Sequence, residues 1–179
     1  DRFFYADLAA AIHLDDQTHF APVLKLNAAG YVVEESGEVK RRANQIQLIG
    51  IDESFWKHAG LKANLPPTME DGEALINPRL AAQLGLMVGD EFRLRIAKPS
   101  VLPRDAPLSV AEDLTARLTL TVANVTDADS ELANFSLRPG AVPPFNVFMP
   151  LVWLQKKAEL DGRANVMLAS GLKPTKDLV

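Results

Sequence analysis

Cysteine is absent from the 179 residues. That excludes disulfide frameworks, thiolate zinc sites, iron–sulfur clusters and cysteine nucleophiles. A basic excess is lacking too: 19 Lys and Arg stand against 23 Asp and Glu, a net charge of −4. A general nucleic-acid binder needs a cationic face for phosphates, so no nucleic-acid partner is expected. Long apolar runs are also missing. The longest, Leu8 to Ile12 and Val147 to Leu154, fall far short of the roughly 18 residues a membrane helix requires. No signal peptide is visible, and the first residue is Asp1 rather than Met. The expectation is a processed product or an excised piece of a longer polypeptide, with any membrane spans cut away. Glycine (10) and proline (12) are too few for a fibrous or low-complexity chain.

What is present is ordinary for a globular domain: 47% apolar and 23% charged residues. A chain of this length hides enough surface to form a packed core, and wholesale disorder is not expected. Phe4, Leu8 and Ile12 recur with helical spacing, which predicts a helix over 2–13. Ala21 to Leu26 and Tyr31 to Glu34 read as strands either side of a turn at Asn27 to Gly30, with another strand at Ile46 to Ile51. Asp52 is placed to cap a short helix to Ala59. Glu73 to Ile76 reads as a buried strand. Asn77 and Pro78 then open a helix that Gly85 closes, and Gly89-Asp90 turns into a strand at Glu91 to Ile96. Residues 97–116 carry Pro99, Pro103 and Pro107 and break the pattern. Strands are expected again at Ala116 to Val125, Phe145 to Met149 and Ala164 to Leu168, with a loop over 127–144 and a helix from Pro150 to about Leu160. No internal repeat is apparent. Short helices interleaved with antiparallel-looking strands predict an α+β fold with a mixed sheet.

Polar clusters yield no active site. His13, Asp15, Asp16 and His19 are metal-ligand types, but a spacing of six between the histidines does not stack them on one helix face. A solvated turn is the better reading. Asp127, Asp129 and Glu131 alternate like a calcium loop, yet Leu132 and Arg138 stand where glycine and glutamate are needed. Ser54 to Lys57 and Ser170 to Lys173 match S-x-x-K without its companion boxes. No phosphate-cradling glycine loop and no G-x-S-x-G elbow occur. Trp56 and Trp153 read as core or interface residues rather than ligand-stacking platforms. The sequons at Asn124 and Asn134 carry no meaning in a bacterial chain. No catalytic, cofactor or metal residue is assigned, and no cofactor is expected.

The order of elements is more informative. Ile49-Gly50-Ile51-Asp52 runs into Phe55-Trp56; Glu73 to Asn77 leads to Leu80-Ala81, Leu84-Gly85-Leu86 and Gly89-Asp90; Val147 to Leu151 leads to Leu154-Gln155; and Arg163-Ala164-Asn165 follows. This succession, over about residues 20–170, resembles the extracytoplasmic core domain of MacB-like, FtsX-like ABC transporter permeases. The family has a V-x-G-V-D strand, an E-x-V-I-N/S strand leading to L-A-x-x-L-G-L-x-x-G-D, a V-F-V-P-L-x-x-L-Q segment and an R-x-N strand. Its V-x-G-V strand appears here as Val122-Ala123-Asn124-Val125, without the glycine, and residues 97–144 match no family pattern.

The resemblance implies a single extracytoplasmic domain over 1–179. A porter-like part would comprise 1–76 with 145–179, and a smaller β-rich part 77–144. It implies a non-catalytic role on the periplasmic face of the bacterial inner membrane. The partners implied are a cytoplasmic ABC ATPase subunit reached through the parent permease, a permease dimer partner, and a periplasmic protein, lipoprotein or small-molecule substrate. Both chain ends would then lie on one face of the fold and point the same way. Leu80 to Phe92 also resembles the helix–Gly-Asp–strand unit of double-psi β-barrels, which serve as binding modules in larger enzymes. A small hydrolase with a dispersed site is the third class left open.

Overall fold

The computed structural model describes residues 2–12, 18–34, 36–58, 69–98, 115–137 and 142–171. The elements are β1 (Phe4–Tyr5), α1 (Leu8–Ala11), β2 (His19–Val33), β3 (Val39–Ile51), α2 (Glu53–His58), β4 (Glu73–Ile76), α3 (Pro78–Leu84), β5 (Glu91–Ala97), β6 (Thr115–Val125), β7 (Phe145–Pro150), α4 (Leu151–Ala158), β8 (Arg163–Ala164) and β9 (Val166–Ser170). The fold is α+β with a large mixed sheet, as the pattern of elements predicts.

That sheet closes on itself. Its strands run β3-β7-β4-β6-β5-β2, and β2 pairs back onto β3, giving a six-stranded barrel with β9 added beside β2. Two junctions are parallel, β3 with β7 and β4 with β6; the others are antiparallel. The expected division into a porter-like part and a β-rich part is therefore not what is found. Strands from 77–144 close the same barrel as strands from 1–76 and 145–179. The reason lies in long-range pairing: Leu94 of β5 sits opposite Gly30, and Val122 of β6 opposite Ala74.

The connectivity also repeats, although the sequence carries no visible repeat. β2-β3-β4 followed by α3 has the same pairing relations as β5-β6-β7 followed by α4. In each half the first two strands are antiparallel, and the second strand lies parallel to the third strand of the other half.

Two apolar clusters occupy the two faces of this wall. The first includes Leu26, Ile46, Leu48, Ile76, Phe92, Leu94, Leu118, Leu120, Val147 and Met149, joined by Leu80 and Leu84 of α3 and Leu151 and Leu154 of α4. The second lies on the opposite face of β3, β4 and β7, where Ile49, Leu75 and Phe148 meet Phe55 of α2 and Leu132. Alternation along a strand sends successive side chains to opposite faces. β7 is thus buried at every central position, Asn146 to Met149, because both its faces are covered, whereas β5 strictly alternates because its outer face meets water.

Two local expectations are corrected. The helix over 2–13 reduces to β1 and the single turn α1, with Leu8 48% exposed. The turn at Asn27 to Gly30 is instead the middle of one 15-residue strand, β2. Gly30 is there for space: a Cβ would come within 2.6 Å of Ile46 Cδ1. The start of the Pro-rich segment is seen only to Lys98, and 99–114 lie outside the described residues.

The unit around α3 follows the sequence closely. Asn77 Oδ1 accepts from Leu80 N, Pro78 is the first helical residue, and Gly85 takes the left-handed conformation (φ 66°) with its N–H on Ala81 O. Asp52 likewise caps α2, accepting from Ser54 N at 2.9 Å and Phe55 N at 3.4 Å.

Candidate functional site

The motif residues that carried the resemblance are fasteners. Gln155, on the buried side of α4, donates to Arg163 O at 2.8 Å. The Arg163 guanidinium lies 3.7 Å over the Tyr5 ring, in range for a cation–π contact. Asn165 clamps the β2 backbone from both sides. Its Oδ1 accepts from Lys25 N and its Nδ2 donates to Lys25 O, both at 2.8 Å, while its own N–H reaches Val23 O. β1 pairs antiparallel with β8, and β9 pairs antiparallel with the first residues of β2, Val23 opposite Val166 through His19 opposite Ser170. Arg163 thus ties the segment leading into the barrel to the segment leading out of it, Gln155 ties the latter to α4, and Asn165 ties it to β2.

A second group of amides holds the backbone at Leu132, Ala133, Phe135 and Pro144. Asn77 and Asn146 are fully buried. Beyond capping α3, Asn77 Oδ1 accepts from Asn146 N, and Asn77 Nδ2 donates to Ala133 O and Pro144 O, both at 2.9 Å. Asn146 Nδ2 donates to Phe135 O at 2.7 Å. Such partners offset the desolvation of a buried amide; among the described residues only the Asn146 Oδ1 of this network is left without one. The network seats Phe135 edge-on to Phe55 and Phe148, with ring centres 5.7 and 5.9 Å away.

Beside this network opens a cleft of about 690 Å³, lined by Lys25, Asn27, Asn44, Gln45, Gln47 and Arg79 and floored by Pro143 to Phe145. Its rim follows from a bulge in β3. The register jumps between Ala28 and Gly30, and Gln45 takes a left-handed φ of 58° to absorb the extra residue. A non-glycine side chain in that region is strained. Arg79 stacks over Phe145 at 4.6 Å and donates to Pro143 O. Among the described residues the cleft has amide and cationic walls, no carboxylate and no nucleophile paired with a base, which suits a polar or anionic ligand.

The residues singled out from sequence do not converge. His19 is exposed at the start of β2, while His13, Asp15 and Asp16 lie outside the described residues. Asp127 to Glu131 form a turn in which Ser130 donates to Asp127 O. Ser54 Oγ donates to the Asp52 carboxylate within the α2 cap, far from a general-base role. Ser170 sits on β9, and Lys173 is outside the described residues. Trp56 packs on the second cluster and Trp153 on the first, with Lys157 over its ring. No group of metal-ligating side chains occurs among the described residues. Sequence reading missed Tyr5, Gln45 and Arg79. A positive φ at a glutamine leaves no trace in composition or periodicity, and the contacts of Tyr5 and Arg79 are long-range.

No family model matches the chain, and no curated protein matches it either.

Proposed function

We propose that the chain is the extracytoplasmic domain of a MacB-like, FtsX-like ABC transporter permease, and that its work is mechanical rather than catalytic. The observation that carries this reading is the pairing of its lead-in and lead-out strands. β1 runs antiparallel to β8, and only Asn165 separates β8 from β9. Followed outward, the two segments therefore head the same way, as an insertion between adjacent membrane spans requires. Asp1 and the tail after Gly171 lie outside the described residues. The residues of the resemblance add support: Gln155 holds the β8 backbone to α4, Arg163 holds β1 to β8 through Tyr5, and Asn165 fastens the segment between β8 and β9 to β2. A domain that transmits movement needs stiff attachment to its tethers and a mobile partner face, not a reactive group.

On this reading the partners are a cytoplasmic ABC ATPase subunit, a second permease copy, and a substrate or protein outside the cytoplasm. The test uses the complete gene product in its native host. Affinity purification from detergent-solubilised membranes is expected to bring down an ABC ATPase. Protease added to spheroplasts is expected to cut within this domain. Recovery in the soluble fraction without an ATPase would overturn the proposal.

One observation favours a second reading. α3, the Gly89-Asp90 turn and β5, the unit that resembles double-psi β-barrels, belong here to a closed six-stranded barrel. A binding module of a larger enzyme would need that closure, and soluble recovery with a catalytic domain in the same polypeptide would favour it.

A further inference from the structure

The barrel has a bare side. Where β3, β2, β5 and β6 run next to one another, their outward residues meet solvent in two transverse rows. In one row Arg42 of β3 stands opposite Tyr31 of β2, which stands opposite Arg93 of β5, which faces Thr119 of β6. In the next row Ala29 stands opposite Arg95, and Arg95 stands opposite Arg117. All four arginines are exposed. Directly opposed side chains on antiparallel strands have Cβ atoms about 5 Å apart, so Arg95 and Arg117 repel. None of the four has an ion pair among the described residues. The nearest outward carboxylate on β5, Glu91, lies beyond Arg93 and faces Thr121. A fold of net charge −4 has carboxylates enough to neutralise such a cluster, yet it sets arginine opposite arginine.

Between the rows lies a cleft of about 330 Å³ lined by Tyr31, Arg42, Asn44, Arg95 and Arg117. We infer that this cleft is a binding site for a phosphate-type oxyanion. Three guanidinium forks converge on it, and each can give two parallel N–H bonds to one oxyanion. The Tyr31 hydroxyl and the Asn44 amide add neutral donors at its edge. Several positive charges with no carboxylate beside them among the described residues call for an anion of more than one charge, which a phosphate group supplies and a lone carboxylate does not. The site adjoins the β3-bulge cleft, with Ala29 and Asn44 lining both, but shares none of its charged residues, and it does not depend on the permease reading.

The phosphate can come from a soluble phosphoester or from a phospholipid headgroup, and the experiment separates them. The chain is titrated with pyrophosphate by calorimetry, and in a second arm is co-sedimented with vesicles of phosphatidylglycerol diluted in phosphatidylcholine. Binding is expected in at least one arm, and the arm identifies the source. The R95Q/R117Q variant is expected to lose at least ~10-fold in affinity there. It is also expected to melt higher, by roughly 1–4 °C, because a repulsion has been removed. R95K/R117K keeps the charge but not the forks, and is expected to fall between the two. Absence of binding in both arms would overturn the inference. So would binding by R95Q/R117Q equal to that of the unaltered chain, or a lower melting temperature with affinity unchanged, which would give the arginines to the fold.

Discussion

Asn77 answers to four backbone groups at once: the N–H of Leu80 and of Asn146, and the carbonyls of Ala133 and Pro144. Replacing it with alanine removes a helix cap, worth about 1 kcal/mol, and strands further buried groups at about 1–3 kcal/mol each. Asn77→Ala is therefore expected to lose about 3 kcal/mol or more, read as a lower urea midpoint, with Phe135 fluorescence-silent but the Trp56 environment changed. Thr126 offers the opposite case. Its Oγ1 is buried without a partner, while its N–H is held by Ile76 O. Thr126→Val removes only the stranded hydroxyl, and a gain of up to about 1 kcal/mol is expected by the same measurement. The capping role of Asn77 was legible because cap, proline and closing glycine lie within one short segment. Its second role was not, because Ala133 and Pro144 are 56 and 67 positions away.

Among the elements, β2 departs most from its sequence. A glycine between two apolar runs fits a turn or a place where another side chain presses on the backbone, and nothing local separates the two. Here Ile46 and Leu94 press from the barrel interior. In a strand interior, Gly→Ala ordinarily helps slightly, since glycine loses most freedom on folding. Gly30→Ala is expected to do the reverse, costing about 1–3 kcal/mol through overpacking against the fully buried Ile46. Thermal melting of the variant checks the sign; a stabilised protein would restore the turn reading. β5 and β6 were legible for the contrary reason: with one face in water, their period-two pattern is written directly in the sequence.

For the whole molecule, barrel closure was out of reach of local pattern, since the β2–β5, β4–β6, β4–β7 and β3–β7 pairings it needs join distant segments. Closure has a measurable result. The two apolar clusters share β3, β4 and β7 as a common wall, so neither is expected to melt before the other. Trp153 reports on the first cluster and Trp56 on the second. In Trp56→Phe and in Trp153→Phe, fluorescence of the remaining tryptophan is expected to follow the far-UV circular dichroism through one denaturant transition. A fluorescence change that precedes the dichroism in either variant would reveal an independent subdomain. The seam between β9 and β2 has a consequence of its own. Thr18 and Gly171 flank the same end of it, just beyond the pair His19 and Ser170. If the chain is tethered at both ends, as proposed, the lead-out segment leaves the barrel at Ser170, whereas the lead-in segment is held through β1, whose partner is β8. A pull on the lead-out end alone would then load the His19–Ser170 pair first and open the seam one rung at a time toward the clamp at Asn165, while a pull shared by both ends would also load the β1–β8 pair beyond that clamp.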